Sequence, residues 1–466
     1  MDALRPLDVR LARLLPAGSL FAVGGRVRDE LRSRFERVHL PNKDLDYVVT
    51  GLTIAQLMEL LRPAGRIDVV GAAFAVIKLS AGGETADVTV PRRERSSGVG
   101  HRDFQIESGP GVSLEEDLGR RDFRMNMLAR ALPAGDVIDP YGGEADIRAR
   151  RIDILTPRAF AEDPLRMLRA AQFAARFEYL PSEAVMAAMR DAARLVSSVS
   201  SERVQEEFAK LFERAGRPSI GLEILRAGGV LEHLWPELLE GVGVEQNEWH
   251  AYDVWGHSLA TVDACPLGDL SVRLSALLHD VGKPQTKSGP HFYRHEIVGA
   301  EMSAAMLARF RFPRTVVETT AHLVRNHMYS ADPGLSDAAI RRFIRRVGPS
   351  NIERMFALRH ADIAGSGLPK RGRANEAFEA RVRAELERTP AFSVRDLAIR
   401  GDDVIATMIA RRVVPASYRG DARVGEALQW LFEQVTDKPE RNERSLLLQM
   451  LEQYCDRMAA AQDGGA

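Results

Sequence analysis

The pattern of apolar and polar positions divides the chain into a first part with strands and a long helical remainder. In the first part, short apolar runs alternate with segments whose apolar residues recur at helical spacing. The runs predict strands at 20–23, 45–49, 75–79 and 86–90, and the spacing predicts helices at 27–34 and 54–61. Gly82 and Gly83 separate the last two runs and predict a hairpin turn.

Beyond residues 140–143 almost only helical periodicity remains, with helices predicted at 164–177, 201–212, 270–278, 299–310 and 338–347. The pattern therefore predicts an α+β fold, with a small mixed-sheet head followed by a long all-helical body. The best linker candidates are 236–243 and 369–373. We predict four domains: a head at 1–145, a helical neck at 146–240, a third domain at 241–370 and a helical tail at 371–466.

Composition narrows the classes of protein that the chain can belong to. Of 466 residues, 45% are hydrophobic and 28% charged, which excludes a largely disordered chain. Two cysteines, Cys265 and Cys455, give no disulfide framework and favour a reducing compartment. Neither a membrane-spanning run nor a signal peptide is present in the sequence, so we expect a cytoplasmic protein without membrane contact.

The balance of charges is compatible with a local basic surface but not with a protein that is basic overall. The chain has 64 Lys and Arg against 65 Asp and Glu, which excludes a basic coat over the whole protein. Arginine greatly outnumbers lysine, and both a codon bias and phosphate recognition explain this. On either explanation, arginines would make the phosphate contacts.

Two aspartates at the start of a predicted strand are candidate metal ligands. Asp44 and Asp46 alternate with Leu45, so both side chains lie on one face of the strand, about 7 Å apart along it. Paired carboxylates bind hard divalent cations, although an Asp-X-Asp alone is more often a pair of solvated charges. Upstream, a strand ends at Gly24-Gly25 and a helix begins, which is typical of a phosphate site. Together the two motifs indicate nucleotidyl transfer at a metal ion beside a triphosphate.

Two arginine-containing motifs add a candidate nucleotide pocket. The first places Arg121 where it would contact phosphate and Asp122 or Asn126 where it would contact ribose, although a salt-bridged helix start explains the same residues. The second places Asp163, Arg166 and Arg169 on one helix face, where a carboxylate beside a guanidinium matches the edge of a base. The alternative interpretation makes Asp163 the N-cap residue before Pro164 at the first helical position.

In this order, the motifs resemble those of the bacterial class II tRNA nucleotidyltransferases of the polymerase-beta-like superfamily, over residues 21–212. Members of this family add CCA to the tRNA 3′ end, without a nucleic-acid template. The resemblance implies that tRNA, CTP and ATP bind and that Asp44 and Asp46 hold Mg²⁺. It also implies the following residue roles: incoming-nucleotide contacts by Gly25 and Arg28, base selection by Glu162, Asp163 and Arg166, a phosphate-side position for Arg169, the start of a mobile loop at Arg92, and a third strand carboxylate at Asp87.

The chain departs from the family's pattern at two places. Arg124-Met125-Asn126-Met127 stands where Thr-Ile-Asn-Ala is usual, and Gln172 replaces an arginine of the selection helix. The second change removes one phosphate contact. The glycine-rich, polar segment 92–110 is long, which argues against an enzyme that adds only CC, whereas a disordered surface loop is its plain alternative.

A second group of residues predicts another metal site in the helical body. His257, the pair His279-Asp280, His295, His327 and Asp362 are spread over 106 positions and combine ligands that suit divalent metals. Because His279 and Asp280 are adjacent, both reach one metal only where the helix ends, and we expect Gly282 to permit the turn. The set resembles the HD-type phosphohydrolases. The resemblance implies a metal of unknown identity on His257, His279, Asp280 and Asp362, with His295 and His327 as outer ligands or phosphate partners, and hydrolysis of 2′,3′-cyclic or terminal phosphates on RNA.

The remaining choices stay open at this point. The tail resembles the C-terminal region of the same family, and both a grip on the tRNA elbow and a plain helical cap fit it. Besides CCA addition, an A-adding specialist or a poly(A) polymerase would share the motifs. An RNA-binding protein with a silent transferase head is the non-enzymatic alternative, and Asp46 with Asp44 argues against it.

Overall fold

The computed structural model describes residues 4–40, 45–70, 76–96, 104–332, 334–369, 374–388 and 392–463. These residues form two compact units. The first comprises residues 1–240 with 309–312, and the second comprises 241–308 with 313–466. The break after residue 240 falls inside the predicted linker 236–243. The division into four domains stays a prediction.

A seven-stranded mixed sheet forms the head, as the sequence predicts. Its strands are β1 (Leu20–Val23), β2 (Asp46–Val49), β3 (Arg66–Val70), β4 (Val76–Ala81), β5 (Glu84–Thr89), β8 (Ala129–Ala131) and β9 (Val137–Ile138). Their order is β3-β4-β5-β2-β1-β8-β9, in which β2 and β5 run parallel and the other neighbours antiparallel. Buried Val23, Val48 and Ala129 pack with Leu118 and Met127 on one side of the sheet.

The segment predicted as a polar loop contains a hairpin. Strands β6 (Arg92–Ser96) and β7 (Phe104–Ser108) pair antiparallel, with Arg92 opposite Ser108. Residues 97–103 between them lie outside the described part of the chain. Residues 92–96 contain no apolar residue, so only the short alternation of Phe104 and Ile106 with polar residues signalled a strand here.

The rest of the first unit is helical apart from short strands. Its helices are α1 (Pro6–Leu14), α2 (Gly25–Glu36), α3 (Ile54–Leu61), α4 (Leu114–Gly119), α5 (Gly143–Arg148), α6 (Ala159–Glu162), α7 (Leu165–Phe177), α8 (Glu183–Ala192), α9 (Ser201–Arg214), α10 (Pro218–Ala227), α11 (Leu231–Leu234) and α12 (Pro236–Leu239). Strands β10 (Arg151–Ile152) and β11 (Leu180–Pro181) form a parallel pair. The buried ring of Trp235 stacks on Phe208 with centroids 4.1 Å apart and helps to fix the helical layer.

The second unit consists of helices with one short hairpin, β12 (Lys287–Ser288) and β13 (His291–Phe292). Its helices are α13 (Val254–Ala264), α14 (Leu270–Leu278), α15 (Lys283–Thr286), α16 (His295–Arg309), α17 (Arg314–Asn326), α18 (Asp337–Val347), α19 (Ile352–Gly365), α20 (Ala374–Arg388), α21 (Gly401–Ala410), α22 (Ala422–Asp437) and α23 (Arg444–Asp463). The last three pack around a core of their own that includes Leu431 and Leu447. In the part of the chain that the structure describes, no helix combines the length and apolar character that a bilayer crossing requires.

Candidate functional site

A glycine turn between β1 and α2 borders a cavity in the first unit. Gly24 is the N-cap residue of α2 and has φ +64° and ψ −127°, a conformation that side chains other than glycine rarely adopt. A Cβ atom on Gly24 would lie 2.5 Å from Arg121 Nη1. Gly24 and Gly25 both line the cavity, so the backbone N–H groups at the start of the helix border it without a side chain between.

Carboxylates on two neighbouring strands lie beside this turn. Asp46 is the first residue of β2, lines the cavity and is paired in register with Asp87 on the parallel strand β5. Register partners on adjacent strands project to the same face of a sheet. Asp44, the other predicted metal ligand, lies outside the described residues.

The cavity has a volume of about 480 Å³ and a strongly cationic wall. Nine of its lining residues are Arg or Lys, and three are Asp. The basic residues are Arg28, Arg92, Arg120, Arg121, Arg166, Arg169, Arg176, Lys210 and Arg214. Such a wall favours a polyanionic ligand.

A continuous hydrogen-bond chain connects four predicted nucleotide contacts. Arg28 Nη1 donates to Asn126 Oδ1 (2.7 Å), and Asn126 Nδ2 donates to Asp122 Oδ1 (2.8 Å). Arg169 Nε donates to the other oxygen of Asp122 at 2.8 Å. Burial opposes ionisation of Asp122, but the charge of Arg169 and the hydrogen bond from Asn126 outweigh it and lower the pKa of Asp122. The four side chains therefore hold one another in fixed positions.

The predicted base-selection residues lie at the start of α7. Asp163 Oδ1 accepts a hydrogen bond from Leu165 N (3.2 Å), and Asp163 Oδ2 accepts one from Arg203 Nη2 (3.3 Å). Arg166 donates to the carbonyl oxygen of Arg120 at 2.7 Å. Both Asp163 and Arg166 line the cavity, whereas Glu162 is not among its lining residues in the described chain.

Asp163 also caps α7, as the alternative interpretation expects: its backbone is extended (φ −138°, ψ 97°), its side chain accepts the Leu165 N–H, and Pro164 after it is already helical. Glu162 ends the short helix α6, and its carboxylate lies 3.9 Å from Arg166.

One buried carboxylate that the sequence did not single out organises the arginines. Asp117 is fully buried in α4 and accepts hydrogen bonds from Arg92 N (3.2 Å), from Arg120 Nη2 (2.8 Å) and from Arg121 Nη2 (3.4 Å). In the sequence it is one of several charges in a mixed run, and nothing in the run distinguishes it. The network shows that Asp117 positions both Arg92, at the start of the hairpin, and Arg121.

Basic residues that the sequence analysis missed lie deeper along the helices. Arg176 on α7, with Lys210 and Arg214 on α9, lines the same cavity as Gln172. Burial and the neighbouring charge of Arg28 lower the pKa of Arg176. Helical spacing was the available signal, since Arg176 follows Gln172 by four positions and Arg214 follows Lys210 by four.

In the second unit, six predicted residues converge although they come from five segments of the chain. His257 lies on α13, His279 and Asp280 directly follow α14, His295 begins α16, His327 directly follows α17, and Asp362 lies on α19. All four imidazoles and Asp280 are buried, and the side chain of Asp362 is 16% exposed.

Backbone carbonyl groups orient all four imidazoles in the same way. The Nδ1 atoms of His257, His279, His295 and His327 lie 3.2, 2.8, 2.9 and 2.7 Å from the carbonyl oxygens of residues 365, 276, 292 and 324. A carbonyl oxygen only accepts hydrogen bonds, so the proton of each neutral ring lies on Nδ1. Each Nε2 atom then offers a lone pair to the centre of the cluster, as metal-ligating histidines do.

Asp280 lies between two pairs of imidazoles. Its Oδ2 atom is 3.1 Å from His279 Nε2 and 3.6 Å from His257 Nε2, and its Oδ1 atom is 3.5 Å from His295 Nε2 and 3.8 Å from His327 Nε2. The ligand atoms of His257, His279 and Asp280 lie close enough to hold one ion, and so do those of Asp280, His295 and His327. The ligand atoms of a third set, His250, His257 and Asp362, also lie close enough to hold one ion. Each of the three sets combines imidazole nitrogens with a carboxylate, which are ligands that fit a divalent metal.

The charges of the cluster shift the pKa values of its members, and against the effect of burial Asp280 raises the pKa of His279. Burial opposes ionisation of Asp280, but His279 and Lys283, whose Nζ lies 2.6 Å away, outweigh it and hold the pKa of Asp280 well below its ordinary value. Burial and the charge of His279 lower the pKa of His327 to about 3. At neutral pH, Asp280 is therefore an anion and His327 is neutral. A cavity of about 350 Å³ borders the cluster and also includes Arg359.

The expected role of Gly282 was wrong. Its φ is −80°, which any residue adopts. A Cβ atom on Gly282 would instead lie 2.5 Å from the carbonyl oxygen of His295 and 2.6 Å from Gly299 N. Gly282 is therefore required for the close approach of α16, which carries His295.

Comparison with known proteins agrees with both sites. Residues 20–153 match the family described as poly A polymerase head domain, residues 181–241 a probable RNA-binding region of polymerase A, and residues 254–363 the HD domain. The solved structures that resemble the fold include the Bacillus stearothermophilus CCA-adding enzyme in complex with CTP, with a TM-score of 0.68, 22% identity and coverage of 98% of this chain and 100% of that one. The Thermotoga maritima CCA-adding enzyme complexed with tRNA matches with a TM-score of 0.54 at 19% identity, over 99% of this chain and 97% of that one.

Two relatives match over nearly their whole length. The multifunctional CCA protein of Nitrosococcus oceani is 33% identical over 426 residues, which cover 88% of this chain and 96% of that protein. The multifunctional CCA protein of Verminephrobacter eiseniae is 35% identical over 428 residues, covering 89% of this chain and 100% of that protein. With both the head and the HD cluster described above included in the match, the chain belongs to the family of multifunctional CCA proteins.

Proposed function

We propose that this protein adds the nucleotides CCA to the 3′ end of tRNA, with CTP and ATP as substrates, in the cationic cavity of the first unit. The observation that carries the proposal is the combination of a helix N-terminus at Gly24 and Gly25, nine basic side chains and Asp46 around one cavity. A nucleoside triphosphate is a polyanion, and it gains from both the helix N–H groups and the guanidinium groups.

The metal ligands of this site are proposed to be Asp44 and Asp46, with Asp87 beside them. The family depends on divalent cations, and we propose Mg²⁺ because carboxylate oxygens and phosphates are its usual ligands. When bound, the metal supplies charge neutralisation of the triphosphate and activation of the tRNA 3′ hydroxyl. The hydroxyl oxygen forms a bond to the α-phosphorus, the bond to the β-phosphate oxygen breaks, and pyrophosphate leaves.

The nucleotide contacts divide into two groups. Gly25, Arg28, Arg92, Arg121 and Arg169 would bind the phosphates and orient them. Asp122 and Asn126 would lie near the ribose.

Base selection is assigned to the start of α7. Asp163 and Arg166, with Glu162 behind them, would present an acceptor and a donor to the edge of cytosine or adenine. Removing one hydrogen-bonding partner from such a site costs discrimination more than binding.

The test uses a tRNA that ends at its discriminator base, with CTP, ATP or both. Addition of CCA supports the proposal, whereas addition of A alone or of a long A tract identifies the A-adding or poly(A) alternatives. Asp46→Asn should lose addition while the folded protein and its HD activity remain. No addition by the wild-type protein, together with tRNA binding, would leave the RNA-binding alternative.

For the second unit we propose hydrolysis of phosphoesters, in particular 2′,3′-cyclic phosphates at RNA ends. His257, His279, Asp280 and Asp362 would hold one divalent ion, and Asp280 with His295 and His327 would hold another. When bound, the metal supplies activation of a water molecule. The water oxygen bonds to phosphorus, one of the two ring P–O bonds breaks, and a terminal phosphomonoester results.

The HD proposal is tested with 2′,3′-cyclic AMP. A chelator should stop hydrolysis, and readdition of a divalent ion such as Mg²⁺, Mn²⁺ or Ni²⁺ should restore it. His279→Ala with Asp280→Ala should remove hydrolysis but leave CCA addition measurable. If no divalent ion supports hydrolysis by the wild-type protein, the chain is a transferase only.

Because its proposed substrate is tRNA, we also propose a cytoplasmic location.

A further inference from the structure

Exposed apolar side chains surround the opening of the cavity in the second unit. Trp249 is 62% exposed and Met328 is 57% exposed, and both line the cavity together with Pro290 and Phe292. An indole exposed to this extent leaves a large apolar area in water, which is characteristic of ligand-binding surfaces. The metal cluster accounts for the polar end of the cavity and leaves these side chains without a role.

Hydrogen bonds hold the segment that presents Trp249. The backbone N–H of Trp249 donates to Asn247 Oδ1 (3.2 Å), and the N–H of Ala251 donates to the carbonyl oxygen of Ser366 (2.9 Å). Gln246 Oε1 accepts from Lys283 Nζ at 2.5 Å, and Lys283 also contacts Asp280. The segment that carries the indole is thus connected through Lys283 to Asp280 of the metal cluster.

The neighbour of Trp249 reaches the cluster directly. The ring of His250 packs edge-to-face on His257, with centroids 4.7 Å apart. The exposed ring of Trp249 is thus adjacent in sequence to a side chain that contacts the ligand set. Trp249 and the cluster line the same cavity, so a molecule whose phosphate lies at the cluster can extend towards Trp249 within that cavity.

The cations of the cavity are on the phosphate side. Lys283 lies against Asp280, and Arg359 donates to Asp362 (3.4 Å) while its Nε is buried without a hydrogen-bond partner in the described chain. The cavity thus combines metal ligands and cations with exposed apolar side chains in its lining. Its volume of about 350 Å³ is at the lower end of small-molecule sites, about 300–1,000 Å³, and suits one nucleotide rather than an oligonucleotide.

We propose that Trp249 is a substrate-binding residue of the HD site and stacks on the nucleobase of the terminal nucleotide whose 2′,3′-cyclic phosphate lies at the cluster. This rests on the proposed phosphohydrolase function and adds to it the residue that binds the base of the substrate. Every base has a π face, so stacking accepts all four bases. RNA ends of any sequence would then be substrates, with purines bound more tightly than pyrimidines because their stacking surface is larger.

The first test compares two cyclic phosphates that differ in the base. Trp249→Ala should raise KM for 2′,3′-cyclic AMP by about tenfold, the typical effect of losing one base–aromatic stack. It should leave KM for glycerol 1,2-cyclic phosphate, which has the same five-membered ring but no base, unchanged. Trp249→Phe should restore most of the affinity. Leu267→Ala is the matched control, because Leu267 is 60% exposed in the same unit but does not line the cavity.

The second test does not depend on hydrolysis. Titration with 3′-AMP should quench the fluorescence of the wild-type protein, and Trp249→Phe should abolish the quenching. Of the other tryptophans, Trp235 and Trp255 are buried, and Trp430 packs on Tyr454 and does not line the cavity. Equal KM effects of Trp249→Ala on both cyclic phosphates, or no effect, would overturn the stacking role. If wild-type protein hydrolyses neither compound, the phosphohydrolase proposal fails, and quenching by 3′-AMP that requires Trp249 still decides whether this is a nucleotide site.

Discussion

Replacing Gly24 by alanine separates backbone strain from the displacement of an arginine. Gly24 has φ +64° and ψ −127°, and its added Cβ would lie 2.5 Å from Arg121 Nη1. Gly18 is the matched control, because it has φ +75° and a Cβ there would have no atom within 4 Å. Both substitutions force alanine to adopt a positive φ, but only Gly24→Ala moves the guanidinium.

The two effects differ in magnitude and in where they are measured. A positive φ costs a residue with a side chain about 1–2 kcal/mol, so we expect Gly18→Ala to lower the free energy of unfolding by that amount. The combination of φ and ψ at Gly24 is rarer for residues with a side chain than a positive φ alone, so we expect Gly24→Ala to lower the free energy of unfolding by about 1–3 kcal/mol. The guanidinium of Arg121 is the flexible end of a side chain, so its movement adds little to the loss of stability. Its movement does remove a charged donor from the cavity, and a hydrogen bond to a charged group contributes about 1.5–3 kcal/mol.

We therefore expect Gly24→Ala to raise KM for CTP and ATP by tenfold or more, and Gly18→Ala to leave both KM values unchanged. Urea unfolding measures the first effect, and initial rates of addition to tRNA lacking CCA measure the second. A Gly24→Ala protein with wild-type KM values would refute the assignment of Arg121 to the phosphates. A rise in KM for tRNA but not for the nucleotides would assign the turn to tRNA instead.

Three further changes test other parts of the first unit. Arg176→Gln should raise KM for both nucleotides by about tenfold without destabilising the fold, because it removes a charged phosphate donor from the cavity wall; unchanged KM values would contradict this. Asp122→Asn should lower the free energy of unfolding by about 2 kcal/mol, less than the 3–5 kcal/mol of a fully buried pair because Arg169 is one-third exposed; an unchanged urea midpoint would show that Arg169 finds another partner. For Asp8, hydrogen bonds from Arg26 and Tyr47 lower the pKa against the effect of burial, so its stabilisation is present above the unfolded pKa of about 3.9 and lost as the pH falls through the lower folded pKa. Asp8→Asn should thus lose stability at pH 6 but little at pH 2, and equal losses at both would count against it.

Apolar periodicity predicted the helices and strands that bury an apolar face in a core. Helix α14 extends over Leu270–Leu278, the range that the apolar run predicted, because every residue in it is buried or nearly so. Helix α2 begins at Gly25, two residues before the predicted start, because neither Gly25 nor Arg26 is an apolar residue that contributes to the periodic pattern. The β6–β7 hairpin was missed because its first strand, residues 92–96, contains no apolar residue. Polar segments form strands through backbone hydrogen bonds, which periodicity does not report.

For the two sites, the sequence motifs predicted which residues lie together in the structure. They did not predict which other residues position those side chains. His257 and Asp362 are 105 positions apart, yet their side chains lie 3.2 Å from one another, as the resemblance to HD proteins implied. Asp117 gave no signal, because a buried carboxylate and a solvated one look alike in a charged run. Its role depends on three donors from separate places in the fold, and only the assembled structure brings them together.

Gly282 shows how a correct motif can have a different physical cause. In the sequence it follows His279-Asp280, which suggests a glycine that allows a turn, but its φ of −80° needs no glycine. Its hydrogen atom instead faces the backbone of α16, where Gly299 N would be 2.6 Å from a Cβ. Only with α16 this close can His295 Nε2 lie 3.5 Å from Asp280 Oδ1. The glycine thus acts on the second pair of imidazoles rather than on the adjacent histidine and aspartate. The one carboxylate of Asp280 can face two ligand sets because a helix from elsewhere in the chain approaches to backbone contact.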